Sequence, residues 1–340
     1  MQKNTIILFF VGMGLLSGCV TIRVPSIDDS SENALTNTST EALLEDRSGA
    51  VQSPWPSLPA MMSREFNGRG LQLGSVLART DAYTRYYVTY LSGDLTISGI
   101  MNVPVGSGPF PLLVLNHGYI DPAVYTNGRG LKREQDYLAR RGYVVLHPDY
   151  RNHAASSKDP RTELDFRLGY TEDVINAVLA ARELDFIDTS RVGMLGHSMG
   201  GGITQNVLVV RPELVKAAML YAPVSADVRD NFDRWTRSRP AVANEIIAAH
   251  GEPSQNLLFW DDLSPKKFIN NIQSPIQIHH GTADADVPLV WSQAFHEALV
   301  ASGKESTLYI YDNEPHELID QWPLMMQRTV DFFDQYFKQK

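Results

Sequence analysis

The sequence predicts an α/β fold: one domain with a mostly parallel, twisted sheet and helices on both faces. The run "FPLLVLNHG", which begins at Phe110, is continuously apolar, and this is the pattern of a strand buried on both faces of a parallel sheet. From about residue 132 onward, strand-like and helix-like segments alternate, as they do where helices connect parallel strands. The chain has 340 residues, 43% of them hydrophobic and 20% charged, so we expect a sizeable core.

The elements follow this scheme along the chain. "RYYVTYLS" and "LTISGIMNVP" are β-rich segments separated by Gly93 and Asp94, which predicts an antiparallel pair joined by a tight turn. The alternating segments are a helix around 132–141, the strand "YVVLHPD", a helix at about 170–184, the strand "RVGMLG", a helix at 201–210 and the strand "AAMLYAP". After an irregular stretch at about 225–267 come the strand "PIQIHHG", a helix near 290–302, the strand "STLYIYD" and a helix to Lys340.

The first residues, "MQKNTIILFFVGMGLLSGC", indicate an export signal at 1–18, with an early lysine and an uncharged apolar run from Ile6 to Leu16. The run is too short for a permanent membrane span, which needs about 20 residues. "LSGC" resembles the lipobox of bacterial lipoproteins, which implies cleavage before Cys19 and a lipid on its sulfur. Because Val20 rather than aspartate follows, we expect an exported lipoprotein of the outer membrane or facing the periplasm, held at the membrane only by this anchor.

Residues 19–61 are rich in Ser, Thr, Asn, Asp, Glu and Pro and contain few large apolar side chains, which predicts a disordered tether. The globular domain is then expected at 62–340. Cys19 is the only cysteine, so no intramolecular disulfide can form. The formal net charge is −9 and no basic cluster is visible, which argues against a nucleic-acid partner.

A glycine-rich motif, "GHSMG", places Ser198 between a predicted strand and a predicted helix. This is the context of a nucleophile elbow, where a serine on a sharp turn exposes its hydroxyl. Side chains at the neighbouring positions would collide there, so Gly196 and Gly200 are expected for steric reasons. The alternative is a glycine-rich helix start that only packs closely on the sheet. We predict that Ser198 is a nucleophile.

A serine nucleophile needs a general base that is oriented by a carboxylate. Asp284 and Asp286 both follow the strand "PIQIHHG", and the residues alone leave both open as the acid. His316 follows the next strand in a turn-rich loop and is the predicted base, flanked by Glu314 and Glu317, which we expect to be solvated. A surface loop histidine is the alternative.

Backbone amides are needed to stabilise the oxyanion of an acyl-transfer reaction. The amide of Met199, directly after the nucleophile, is one expected donor, and the loop "HGY" after the strand "FPLLVLN" would supply the other. The adjacent His279 and His280 suggest a metal, but neighbouring residues of a strand point to opposite faces. We therefore expect no metal and no cofactor.

Several segments together resemble stand-alone α/β-hydrolases of the prolyl-oligopeptidase-like (S9-type) group: "YTRYYVTYLSGDLTISGIMNVP", "FPLLVLNHGYIDP", "VVLHPDYRNH", "RVGMLGHSMGGG" and "HHGTADADVP". The resemblance implies an α/β-hydrolase fold and Asp284 as the triad acid. It also implies that the second oxyanion amide is that of Tyr119, and that His117 has a structural role beneath the loop. Relatives often have D-Y-R-G-H-G where this chain has "DYRNHA", so a substrate contact through that loop is in doubt.

The same resemblance implies a small cap insertion at about 225–267. Its aromatic residues Phe232, Trp235 and Trp260, with Phe259, would line an apolar substrate pocket or only pack the cap onto the body. This region would determine the choice of substrate.

We expect a serine hydrolase that cleaves small carboxylic esters through an acyl-enzyme on Ser198. The group's peptidases usually carry an N-terminal β-propeller, and only about 60 residues precede the predicted hydrolase body here. A serine peptidase acting on short peptides is the alternative. A binding lipoprotein with a lost activity is a further alternative, but it would predict a broken triad, whereas all three members are present.

Overall fold

The computed structural model describes residues 56–338. The predicted signal, Cys19 and the tether through residue 55 lie outside the described residues. Within 56–338 the chain forms one nine-stranded sheet in the order β1-β2-β3-β5-β4-β6-β7-β8-β9. The strands are β1 (Arg69–Arg79), β2 (Tyr83–Ser92), β3 (Leu95–Pro104), β4 (Phe110–Asn116), β5 (Val144–Pro148), β6 (Ile187–His197), β7 (Ala217–Tyr221), β8 (Ile276–Gly281) and β9 (Ser306–Tyr311).

The sheet is mostly parallel, as predicted. Strands β1, β2, β3 and β5 pair antiparallel, and all pairs from β5 through β4 to β9 are parallel. The predicted tight turn is confirmed, because Ser92 pairs with Leu95 across Gly93 and Asp94. Strand β1 was not predicted. It lies at the sheet edge and is exposed at every position except Leu71, so its further apolar residues Leu73, Val76 and Leu77 do not mark a buried face.

Nine α-helices accompany the sheet in the described range. They are α1 (Leu58–Ser63), α2 (Lys132–Ala139), α3 (Leu168–Ala181), α4 (Met199–Val210), α5 (Val228–Asn231), α6 (Pro240–His250), α7 (Leu257–Asp262), α8 (Leu289–Ala301) and α9 (Trp322–Lys338). Short 3₁₀ segments cover Pro212–Leu214 and Pro265–Asn271, and a π-helical turn covers Phe232–Thr236. No described helix combines the length and the apolar character that a membrane crossing requires.

Helices cover both faces of the sheet, so each central strand is buried on two sides. In β4, Leu112 and Val114 join the core formed with α3, α4 and α8. Leu113 and Leu115 point the other way, into the core formed with α2 and α9. This alternation explains why the sequence of β4 is apolar at consecutive positions.

Helix α1 changes the expected start of the domain. Ser57 caps it by accepting a hydrogen bond from the Ala60 amide at 3.2 Å, and Leu58 and Met61 are buried in the core. The predicted boundary at Met62 falls inside this helix, so the tether prediction is wrong for residues 57–61. Helix α1 was not predicted, because the segment is short and rich in proline and serine. Its two buried side chains are too few to show a helical periodicity.

The stretch at 225–267 lies between β7 and β8, where the cap insertion was expected, but it is not irregular. It contains α5, the π-helical turn, α6 and α7. These helices are short, from four to eleven residues; Pro240 begins α6 and Gly251 directly follows its end. Helical periodicity is difficult to recognise over such lengths. We refer to residues 225–267 as the cap.

Candidate active site

Ser198 lies on the sharp connection between β6 and α4. Its backbone has φ 54° and ψ −120°, a conformation that a serine adopts only when its surroundings enforce it. The Ser198 amide donates to the Tyr221 carbonyl at 3.0 Å. A Cβ at Gly200 would lie 1.9 Å from the Asn116 carbonyl oxygen, and one at Gly196 would lie 2.4 Å from the Gly200 oxygen. The helix and strand can approach this closely only with glycine at both positions.

Asp284 and His316 form a buried pair. Nδ1 of His316 donates to Oδ2 of Asp284 at 2.7 Å, and the Asp284 side chain is fully buried. Because an ionised carboxylate only accepts, this bond fixes the proton on Nδ1 and leaves Nε2 of His316 able to accept one. The pair therefore has the arrangement of a general base and its orienting acid.

The Asp284 carboxylate is held ionised by its hydrogen bonds. Oδ1 accepts from the amides of Asp286 at 2.9 Å and Val287 at 2.8 Å, and Nε2 of His280 lies 3.1 Å from Oδ2. Burial raises the pKa of Asp284, but the hydrogen bonds from His280, His316 and Val287 bring it well below its ordinary value. Sequence reasoning missed this role of His280.

Ser198 and His316 line the same cavity. The ring of His197, the residue before the nucleophile, lies 4.6 Å from the ring of His316, measured between centroids. Among the described residues, no hydrogen bond joins Ser198 Oγ directly to His316. In free enzymes this contact is often long and tightens only when substrate binds. The assignment of the triad therefore stays a prediction with favourable geometry.

The acidic residues beside the pair have other environments. Asp286 is exposed and lines the cavity, while its amide supports Asp284. Glu317 is also exposed at the cavity, as expected. Glu314 was expected to be solvated, and this is wrong. It is buried and accepts from the amides of Ile319 (2.5 Å), Asp320 (3.2 Å) and Gln321 (2.8 Å), so it stabilises the loop that carries His316.

Two backbone amides are available next to the nucleophile. Gly118 lies against Ser198, since a Cβ on it would be 3.1 Å from the Ser198 Cβ. The amides of Tyr119 and Met199 donate no hydrogen bond to any described residue, and Met199 is the first residue of α4, where helix amides lack intrahelical partners. These are the donors that sequence analysis predicts for an oxyanion hole.

His117 lies buried beneath this loop. One ring nitrogen, Nδ1, is 2.7 Å from the Gly118 carbonyl oxygen, and the ring stacks on Tyr150 at 4.3 Å. Burial lowers the pKa of His117 to about 3, so the ring is neutral at physiological pH. Its contacts are those of a residue that supports the loop.

The segment "DYRNHA" is packed into the body. Nε of Arg151 donates to Asp173 at 3.0 Å, and its other nitrogens pair with Asp159 and Glu172. His153 is buried against the ring of Tyr125. None of these residues lines the cavity that contains Ser198.

The cavity has a volume of about 960 Å³ and lies between the cap and the carboxyl ends of the parallel strands. Phe232 and Trp235 line it, as predicted for two of the cap's aromatic residues.

Trp260 does not line the cavity, so its prediction as a substrate-binding residue is wrong. Its side chain is fully buried, its indole N–H donates to the Gly251 carbonyl at 3.3 Å, and its ring packs against Phe232 at 4.8 Å. Trp260 supports the cavity wall from behind.

Three charged residues of the cap and of the loop before α3 also line the cavity, and sequence reasoning missed them. Glu163 and Arg167 form an ion pair that Arg239 of the cap joins. Arg234 of the cap donates to the carbonyls of Ala285 (2.8 Å) and Asp286 (2.7 Å), directly after the triad acid. Only the four-residue spacing of Glu163 and Arg167 could have indicated their pairing.

The histidines considered for a metal have separate partners. Nδ1 of His279 contacts the Tyr311 hydroxyl at 2.7 Å, whereas His280 faces Asp284 and Ser292. Ligand atoms of Asp284, Asp286 and His316 lie within 4.8 Å of one another. The hydrogen bond between Asp284 and His316 already accounts for that proximity, so the cluster does not argue for a metal.

A strained serine between strand and helix, a buried Asp–His pair and free amides at one end of a parallel sheet define a serine hydrolase with the α/β-hydrolase fold. The model of the prolyl oligopeptidase family matches residues 129–340, and the chain belongs to that family.

The comparisons include both peptidases and esterases. The chain is 25% identical to the acylamino-acid-releasing enzyme of Arabidopsis thaliana over 91% of its own length and 44% of that protein's length. The acylaminoacyl peptidase of Pyrococcus horikoshii is similar in structure with a TM-score of 0.62 and 23% identity, over 76% of this chain and 43% of that one. The acetyl xylan esterase of Paenibacillus sp. R4 is similar in structure with a TM-score of 0.65 and 18% identity. The match covers 82% of this chain and 92% of that one. The chain thus spans less than half the length of the peptidases it matches here.

Proposed function

We propose that the protein hydrolyses carboxylic esters through an acyl-enzyme on Ser198. The observation that carries the proposal is the buried Asp284–His316 pair beside a cavity that also contains Ser198 on its strained turn. The oriented Nε2 of His316 is the group that accepts the serine proton in this chemistry.

The reaction proceeds in two balanced halves. His316 Nε2 takes the proton of Ser198 Oγ while the oxygen attacks the ester carbonyl, and the amides of Tyr119 and Met199 donate to the resulting oxyanion. The intermediate collapses to the acyl-enzyme, and the protonated His316 gives its proton to the departing alkoxide. Water then attacks the acyl group while His316 Nε2 takes its proton. The bond to Ser198 Oγ breaks, the acid is released, and the protonated His316 returns the proton to Oγ. These steps use only groups of the chain and water.

Ester cleavage needs less help from the enzyme than amide cleavage, because an alkoxide leaves with less protonation than an amine. A serine peptidase acting on short peptides is the second candidate. It is supported by the acylamino-acid-releasing relatives and by the carboxylates of Asp286 and Glu317, which would attract an α-ammonium group in the cavity.

A comparison of esters and amides with the same acyl groups tests the proposal. We expect p-nitrophenyl esters of acetylated amino acids to be cleaved with a higher kcat/KM, relative to their uncatalysed rates, than the p-nitroanilides of the same acetylated amino acids. The Ser198→Ala variant controls for background hydrolysis and should be inactive on both. Faster cleavage of the anilides, relative to their uncatalysed rates, would favour the peptidase.

We further propose that the protein is an exported lipoprotein anchored through Cys19. The proposal rests on the sequence "LLSGC" and the apolar run before it. Metabolic labelling with a palmitate analogue in a bacterial host should mark the wild-type protein and leave Cys19→Ser unlabelled. Equal labelling of both proteins would contradict it.

A further inference from the structure

A cluster of three charged residues forms part of the cavity wall. Glu163 accepts from Nε (2.8 Å) and Nη2 (3.0 Å) of Arg167, and one of its oxygens also accepts from Nη1 of Arg239 at 2.7 Å. All three residues line the cavity. One carboxylate faces two guanidinium groups, so this cluster carries a net charge of +1. We call it the Arg167 cluster.

The third nitrogen of the Arg167 guanidinium is poorly satisfied. Among the described residues, Nη1 of Arg167 has only the thioether sulfur of Met199 within hydrogen-bonding range, at 3.5 Å. A thioether is a weak acceptor, and buried charged donors normally have strong ones. The side chain of Arg167 is 24% exposed, so water reaches it through the cavity. An acceptor that enters the cavity would satisfy this nitrogen.

The position of Arg167 relates this donor to the reaction centre. Met199 directly follows the nucleophile, and the guanidinium carbon of Arg167 lies 4.9 Å from the centroid of the Tyr119 ring. Both residues supply the amides of the proposed oxyanion hole. The exposed carboxylates of Asp286 and Glu317 belong instead to the loops that carry Asp284 and His316. The Arg167 cluster therefore places its net positive charge beside the residues of the proposed oxyanion hole.

We infer that Arg167 is a specificity-determining residue that binds a carboxylate of the substrate, so that esters whose acyl chain ends in a second, free carboxylate are preferred. Burial lowers the pKa of the Arg167 guanidinium, but its pairing with Glu163 more than offsets this, and the group remains charged. A carboxylate matches the net charge of the cluster and offers two oxygens to a planar donor, which a neutral carbonyl does not. The inference rests on the proposed ester hydrolysis.

The test compares two substrates that differ in whether the terminal carboxylate is free or methylated. These are the p-nitrophenyl hemiester of glutarate and the p-nitrophenyl ester of monomethyl glutarate. We expect the wild type to favour the anionic ester in kcat/KM by on the order of tenfold, as a charge-assisted hydrogen bond supplies. In Arg167→Met the ratio should fall to about one. The ratio is taken within each variant, so a general loss of activity does not affect it.

Lys132→Met is the matched control, because Lys132 also lines the cavity and its removal changes the net charge equally. We expect it to keep most of the wild-type preference. A wild-type ratio of one or less, an unchanged ratio in Arg167→Met, or an equal loss in both variants would overturn the inference.

Should Arg167→Met not fold, Arg167→Lys is used instead. This variant keeps the charge but not the planar donor pair, and its ratio should fall below that of the wild type. An unchanged ratio would again overturn the inference.

A binding experiment separates this inference from the proposed function. Ser198→Ala is titrated with monoethyl glutarate in a calorimeter and compared with Ser198→Ala/Arg167→Met. We expect at least tenfold weaker binding to the double variant, and equal affinity would overturn the role of Arg167. If the wild type hydrolyses neither ester, ester hydrolysis fails as the function, and this titration still decides whether Arg167 binds a carboxylate.

Discussion

At the scale of single residues, the candidate site depends on groups that hold other groups in place. His316 is oriented by Asp284, and Asp284 is in turn held by His280 and by the amides of Asp286 and Val287. The residues themselves predicted Ser198 and His316, which follow recognisable strands, but left both Asp284 and Asp286 open as the acid. Asp284 was selected by the family resemblance. The supporting residues His280 and Glu314 could not be predicted in the same way. Their contacts depend on how two loops fold against each other.

The first prediction concerns Asp284→Asn. The amide can present an N–H to His316, which would reverse the proton arrangement and remove the acceptor at Nε2. We expect kcat for ester hydrolysis to fall by about 10⁴-fold, with little change in KM. Asp286→Asn is the matched control, because its side chain is exposed and makes no bond to His316. Steady-state kinetics that show losses of similar size in both variants would contradict the assignment of Asp284.

At the scale of elements, the turn between β6 and α4 places the nucleophile. The strand, the turn and the helix meet so closely that Gly200 touches the backbone of Asn116 in β4. This packing also orders the loop after β4, which carries Tyr119. The glycines in the sequence predicted the turn. The close approach of α4 to β4 could not be predicted, because it depends on how the strands assemble into the sheet.

The second prediction tests this packing with Gly200→Ala. Its Cβ would lie 1.9 Å from a backbone oxygen that cannot move without disturbing β4, so we expect loss of soluble protein or a destabilisation of several kcal/mol. Gly202→Ala, in the same helix, meets only a methyl group of Val224 at 2.6 Å and should be tolerated better. Thermal unfolding compares the two, and similar melting temperatures would contradict the expectation.

The cap is connected to the triad through Arg234. This residue lies in the π-helical turn Phe232–Thr236, and its guanidinium holds the two carbonyls that follow Asp284 in the loop. Helices of the π type occur often at functional sites. The contact suggests that the cap positions the acid loop as well as shaping the cavity.

The third prediction is that Arg234→Met lowers kcat by on the order of tenfold through a less ordered Asp284 loop, since a misplacement of about 1 Å can cost more than this. Arg237→Met is the control, because Arg237 forms ion pairs with Asp233 and Glu252 of the cap and lies over the Phe232 ring, but donates to no carbonyl of the Asp284 loop in the described part of the chain. Its activity should stay close to that of the wild type. Equal effects on kcat would show that the Arg234 contact has no role in positioning.

At the scale of the whole molecule, buried histidines make stability depend on pH. Five of them are fully or almost fully buried and have a lowered pKa, chiefly because of burial. For His117, His197 and His279 the pKa is about 3, for His147 it is well below the ordinary value, and for His153 it is lowered. Below about pH 6.5 the unfolded chain protonates these histidines while the folded protein does not. The stabilisation that these histidines contribute is therefore fully present above pH 6.5 and is lost as the pH falls toward 3.

The fourth prediction follows from this linkage. Each such histidine contributes a slope of about 1.4 kcal/mol per pH unit to the free energy of unfolding below its unfolded pKa. Burial raises the pKa of Glu134 and Asp173, which acts in the opposite direction, but they are fewer. We expect urea unfolding at pH 7.5, 6.0 and 5.0 to show a clear decrease in stability. A constant free energy of unfolding over this range would contradict it.

The sequence predicted the centre of the sheet better than its edge strand, the first helix and the cap. The strands of the sheet centre and the helices between them are apolar enough to be recognised, and β4 with Leu112 to Leu115 is an example. Edge strand β1 and helix α1 were not predicted. The apolar residues of β1 do not mark a buried face, and α1 has only six residues. The cap shows the same limit. Trp260 was expected in the pocket, but only the folded cap shows that it packs behind Phe232.

The most direct test of the central claim is covalent labelling of the folded protein with a fluorophosphonate, followed by peptide mass spectrometry. An activated serine is required for this reaction. We expect one adduct, on Ser198, which is absent in Ser198→Ala and forms much more slowly in His316→Gln. A folded protein that remains unlabelled, or that carries the adduct on another residue, would contradict it.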